Sequence, residues 1–122
     1  MAKLLLIDDD EKIISQLKRY LEKIGHTVEP AANGRDGIEM LDGWTPDLVI
    51  TDIMMPEADG LEVVMAIRKN YPDIPVFAIS GGMHAVPMDF LPVVKKLGAK
   101  KVFYKPVELE KLAAAIDEEL GG

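Results

Sequence analysis

Four apolar runs, at residues 4–7, 48–51, 76–79 and 102–104, are short and do not alternate with polar positions. That is the pattern of strands covered on both faces, as in a parallel sheet. A weaker run at 26–31 contains Pro30, which has no N–H to donate and so suits an edge strand. Between the runs the apolar residues recur at helical spacing. Ile13, Ile14, Leu17, Leu21 and Ile24 form a stripe that Gly25 ends, glycine being the usual residue past a helix terminus. Ile38 and Leu41 mark a second helix after Asn33-Gly34, and Leu61, Val64, Met65 and Ile67 a third that Tyr71-Pro72 closes. Leu109, Leu112, Ala113, Ile116 and Leu120 share one face of a last helix. The stretch SGGMHAVPMDFLPVV predicts a long loop and a short fourth helix near 89–97, with Pro92 tolerated in its first turn. Strand followed by helix, five times, predicts an α/β fold: a parallel sheet with helices on both faces.

Composition narrows the class. A chain of 122 residues is expected to be one domain, 1–122, with a single well-buried core. A net charge of −7 argues against nucleic acid as a partner, because phosphate contact needs a basic patch. With no cysteine, thiol catalysis, thiolate metal sites and disulfides are excluded. The N-terminal apolar run ends in acids after four residues, so it is neither a signal peptide nor a membrane span. A cytoplasmic location is the resulting expectation.

The chemistry lies where the apolar runs stop. LLLIDDD puts Asp8, Asp9 and Asp10 after the first run, LVITD puts Asp52 after the third strand, VFAIS puts Ser80 after the fourth, and VFYKP puts Lys105 after the fifth. Ligands of open parallel sheets bind outside the carboxyl ends of the strands. Crowded carboxylates repel, so a proton or a cation must sit among them. Oxygen ligands, few in number, suit Mg²⁺ that keeps several waters. A cation there would screen a phosphoryl group from a carboxylate that attacks it, with Lys105, the Ser80 hydroxyl and backbone N–H groups near Met54 and Gly81 on the phosphoryl oxygens. Each residue alone also fits a plainer role. Asp10 fits a helix cap, Lys105 a solvated lysine, and Ser80-Gly81-Gly82 an ordinary turn. The constellation, rather than any one member, carries the signal.

LLLIDDD, PDLVITDIMMPEADG, VFAISGG and LGAKKVFYKP, in this order and spacing, resemble the response-regulator receiver domain of two-component signalling over essentially the whole chain. The resemblance implies a flavodoxin-like, doubly wound five-stranded parallel sheet of order 2-1-3-4-5 with five helices. It implies Asp52 as phosphoacceptor from the phosphohistidine of a sensor histidine kinase or phosphotransfer protein. Asp9 and Asp52 would ligate Mg²⁺ with the backbone carbonyl of Met54, and Asp8 would hold metal-bound water. Ser80 would move toward the phosphoryl oxygen, Lys105 would pair with the acyl phosphate, and a cis bond to Pro106 is common in the family. Pro56 and Gly60 would shape the loop after Asp52. Output would pass through the fourth helix, fifth strand and fifth helix to a protein target, by a monomer or a phosphorylation-dependent dimer, without nucleic acid or membrane. The chain would be a signalling phosphoacceptor that promotes only its own phosphorylation and dephosphorylation, not an enzyme on other substrates.

One position departs from the family pattern. Receivers commonly carry Tyr or Phe three residues before the lysine, where this chain has Val102. The aromatic switch is therefore expected to be absent or replaced. Met54 and Gly82 offer no side chain to orient an attacking water, so slow self-dephosphorylation is expected. His26 and His84 are expected to be solvated, and Trp44 to pack under a loop. Other functions fit less well. A Mg²⁺-dependent aspartyl-phosphate phosphatase would want a second acid where Met54 stands, and a flavin carrier would be repelled by Asp8-Asp9-Asp10. A phosphorylation-independent interaction module would have lost one of the key residues.

Overall fold

The computed structural model describes residues 2–53, 59–80 and 91–121. Its elements alternate: β1 (Lys3–Ile7), α1 (Glu11–Lys23), β2 (Thr27–Ala31), α2 (Gly34–Leu41), β3 (Leu48–Asp52), α3 (Asp59–Asn70), β4 (Val76–Ser80), α4 (Leu91–Leu97), β5 (Ala99–Tyr104) and α5 (Leu109–Glu119). The five strands form one sheet in the order β2-β1-β3-β4-β5, every pair parallel. Pro30 lies on β2, an edge, as its missing N–H requires.

Strand alternation divides the core in two. Leu5, Ile7, Val49, Val76 and Ala78 pack with Val63, Val64 and Ile67 of α3 and Val94 of α4. Leu4, Leu6, Leu48, Ile50, Phe77 and Ile79 pack with Leu17 and Leu21 of α1 and Leu112 and Ile116 of α5. Both faces of the sheet are thus dry, which is why the strands read as unbroken apolar runs. No described helix is long and apolar enough to cross a membrane.

The helix ends follow the residues that flank them. Asp10 caps α1, its carboxylate accepting from the Lys12 N–H, and Asn33 caps α2 by accepting from Asp36. Gly25, with φ of 110°, turns the chain out of α1, a conformation that costs glycine nothing. Trp44, expected to pack under a loop, packs half-buried against the α3 side of the core. Other expectations needed correcting. His26 is buried rather than solvated, because its Nδ1 accepts from the Ala2 N–H at 3.1 Å. Met65 is half exposed, and Val63 takes its place in the core. On α5, Ala115 rather than Ala113 is buried. β5 begins three residues before its apolar run, at Ala99, and passes through an irregularity beside Val76 and Phe77. His84 and Gly82 lie outside the described residues.

Candidate functional site

Backbone bonds that extend each ladder one residue past its strand set the site. The Asp8 N–H donates to Ala31 O at 3.1 Å, Ile53 N–H to Ile79 O at 2.9 Å, and Lys105 N–H to Ser80 O at 2.9 Å. Strands β1, β3, β4 and β5 therefore end at one level, which brings Asp8, Asp52 and Lys105 together at the carboxyl edge of the sheet. Asp52 is the last residue of β3 and lies beside Ile79 in register.

The Lys105 ammonium joins the cluster. Its Nζ donates to Asp52 Oδ2 at 3.0 Å and lies 3.1 Å from Asp8 Oδ2. The second contact is an ion pair that lacks hydrogen-bond alignment. The other oxygen of Asp8 is anchored by the Asp10 N–H at 2.8 Å. That anchor is a main-chain group in the first turn beyond β1, which sequence reasoning had no means to name. Carboxylate oxygens of Asp8, Asp9 and Asp52 all come within 4.8 Å of one another. Asp8 and Asp52 are buried and Asp9 is exposed, so the cluster opens to solvent on the Asp9 side.

The charges respond to this crowding. Burial, reinforced by the charge of Asp52, raises the Asp8 carboxyl to about 6, although the Asp10 amide and Lys105 pull the other way. Burial alone would lower the Lys105 ammonium. The hydrogen bond and charge of Asp52, together with Asp8, outweigh burial and raise it, so Lys105 stays a cation. Ser80 is fully buried and its Oγ has no hydrogen-bond partner among the described residues. An orphaned buried hydroxyl costs about 1–3 kcal/mol.

Asp8, Asp9, Asp52 and Lys105 thus meet, with Ser80 at the end of the neighbouring strand. Met54, Met55, Pro56, Gly81 and Met83 lie outside the described residues. The peptide between Lys105 and Pro106 is cis. Val102 packs half-buried on the α3 and α4 side of the core, Phe103 packs on the opposite side against Phe77, and Tyr104 is exposed.

A hard divalent cation fits this donor set. Three carboxylates against one ammonium leave excess negative charge, all donors are oxygen, and the open side leaves room for the waters that Mg²⁺ retains.

Comparison with known proteins agrees. The Response regulator receiver domain model matches residues 4–117. The transcriptional regulatory protein AfsQ1 of Streptomyces coelicolor is 37% identical over 118 residues, 95% of this chain and 50% of that protein. The response regulator MprA of Mycolicibacterium vanbaalenii is 32% identical over 122 residues, 93% of this chain and 48% of that protein. The chain therefore spans about half the length of these curated relatives. Among solved structures, a CheY-like receiver domain protein of Methanospirillum hungatei JF-1 superposes with a TM-score of 0.90 at 26% identity, covering 99% of this chain and 94% of that one. With the family model matched over nearly the whole length and the acidic edge assembled at the ends of β1, β3 and β5, the chain belongs to the response regulator receiver domain family.

Proposed function

We propose that Asp52 is the phosphoacceptor of a two-component pathway, and that the partly buried Lys105 bridge to Asp52 and Asp8 is the observation that carries this role. A carboxylate oriented by one lysine within an acidic cluster is positioned to act as a nucleophile. An Asp52 oxygen attacks the phosphorus of a phosphohistidine on a sensor kinase or phosphotransfer protein. The P–O bond forms as the P–N bond breaks, and the imidazole leaves with the electron pair and takes a proton from solvent. Lys105 then pairs with a phosphoryl oxygen instead of Asp52, and Ser80 Oγ gains the hydrogen bond it lacks. Asp9 and Asp52 would hold Mg²⁺, Asp8 would hold one of its waters, and the Met54 carbonyl completes the expected set from outside the described residues. When bound, the ion neutralises charge on the transferring phosphoryl oxygens.

The chain acts as a signalling module rather than on a turnover substrate, and its cytoplasmic location belongs to the same proposal. Output passes through the face made by α4, β5 and α5. Because Val102 stands at the usual aromatic position, that output does not rely on the customary ring movement.

Incubation with Mg²⁺ and acetyl phosphate, followed by intact mass measurement, tests the assignment. One acid-stable, base-labile phosphoryl adduct is expected in the wild type, and none in Asp52→Asn. Adduct that persists in Asp52→Asn would place the acceptor elsewhere.

A further inference from the structure

Ala2, His26 and Asp47 immediately precede β1, β2 and β3. They therefore meet at the amino edge of the sheet, the end opposite Asp52, and line an open cleft of about 750 Å³. Asp73 and, from the end of α5, Asp117, Glu119 and Leu120 line it too. None of the four carboxylates forms an ion pair among the described residues. Asp47 accepts from the Lys3 N–H at 2.8 Å through one oxygen. The last turn of α5 holds no basic residue, so Asp117 and Glu119 sit where the field of their own helix disfavours them.

His26 adds an independent observation. It is 7% exposed, and its Nδ1 accepts from the Ala2 N–H at 3.1 Å, which puts the proton of the neutral ring on Nε2. That N–H has no acceptor among the described residues and is not sealed from solvent, so it opens to the cleft. A donor left over among carboxylates calls for a ligand that brings an acceptor as well as positive charge.

We propose that the amino-edge cleft binds a basic polypeptide segment. A main-chain carbonyl of the segment accepts from His26 Nε2–H, and its lysine or arginine side chains reach Asp47, Asp73, Asp117 and Glu119. Their methylene stems cover Leu120, which is 37% exposed. The proposal is independent of the phosphoacceptor role, which uses the other end of the sheet. A merely solvated acidic surface, natural for a chain of net charge −7, explains the carboxylates but not a nearly buried donor turned toward them. A single divalent ion fits poorly. Among the described residues only Asp8, Asp9 and Asp52 bring three ligand atoms within 4.8 Å of one another, and a protonated Nε2 has no lone pair for a metal. A linear polyamine matches the spread of charge but offers Nε2–H no acceptor. Nucleic acid is repelled by the carboxylates.

The test uses the full chain and a short labelled peptide of alternating lysine and serine, with a glutamate-serine peptide and spermidine as comparisons. Fluorescence anisotropy is expected to show binding of the lysine peptide alone, weakened by added salt, with spermidine a poor competitor. Amide shifts should fall on Ala2, His26, Asp47 and the end of α5. Asp117→Asn combined with Glu119→Gln should weaken binding by about fivefold or more. Glu39→Gln combined with Glu62→Gln removes the same charge from α2 and α3 and should leave binding unchanged. His26→Asn keeps an acceptor for the Ala2 N–H but loses the Nε2 donor, and should weaken binding by about threefold or more. The α5 pair decides the matter even where His26→Asn folds poorly. Equal binding of the glutamate peptide, competition by spermidine as strong as by unlabelled peptide, or shifts confined to the edge around Asp52 would each overturn the proposal. So would equal loss in the Glu39 and Glu62 pair, or sedimentation showing that a second copy of the chain fills the cleft.

Discussion

Asp8 carries a cost that its neighbours only partly offset. Its carboxyl is 1% exposed and is raised from the ordinary 3.8 to about 6, first by burial. A raised acid holds its proton more tightly in the folded than in the unfolded chain. Its contribution to stability is therefore fully present below about pH 4 and is lost as pH rises through about 6. Two pKa units correspond to about 3 kcal/mol at most, and coupling to Asp52 and Lys105 reduces what a single substitution recovers. Asp8→Asn keeps an acceptor for the Asp10 N–H and removes the ionisation. Without metal, it should raise stability by about 1–2 kcal/mol at pH 7.5. The gain should vanish near pH 4, as read by denaturant unfolding of both proteins across that range. A gain that is independent of pH would show that charge is not its source.

At the scale of elements, α2 fits tightly against β1 at Gly37. A β-carbon added to Gly37 would run into the Ile7 side chain, with Cγ1 at 2.8 Å. Ile7 is fully buried one residue before Asp8, so it has little freedom to withdraw. Alanine would improve helix propensity by about 1 kcal/mol, but overpacking costs about 1–3 kcal/mol. Gly37→Ala should therefore be destabilising on balance, seen as a lower thermal midpoint. A raised midpoint would mean that Ile7 repacks without cost.

The same elements explain what the sequence disclosed. Strands buried on both faces announce themselves as apolar runs, and the charges that follow mark the edge at which they stop. Asp8, Asp9, Asp52 and Lys105 were legible because each breaks such a run. The start of β5 was hidden because Lys100 and Lys101 break the apolar pattern, although they belong to a strand that is paired on one edge only among the described residues. His26 looked like a surface residue because its partner is the amide of Ala2, and no side-chain pattern signals a backbone donor. Helical periodicity also blurs neighbours: Val63 and Met65 differ by two positions, and only packing decides which one faces the sheet.

The whole molecule should register the metal. A cation that binds only the folded chain stabilises it by mass action, about 1.4 kcal/mol at ten times its dissociation constant. Thermal midpoints should therefore climb with Mg²⁺ in the wild type and stay flat in Asp9→Ala. An equal climb in both would place the ion away from the acidic edge.

Asp52 sits on a strand with a neighbour on each side, whereas Lys105 follows one with a neighbour on only one side. The 3.0 Å bond between them ties the rim of the sheet to its middle, like a stay fastened from a mast to a free boom. Placing a phosphoryl group on Asp52 unfastens the stay at its fixed end. The mast, held from both sides, has no reason to lean, so whatever motion follows belongs to the boom. On the proposed role, a signal written at the centre of the sheet is then read at its margin.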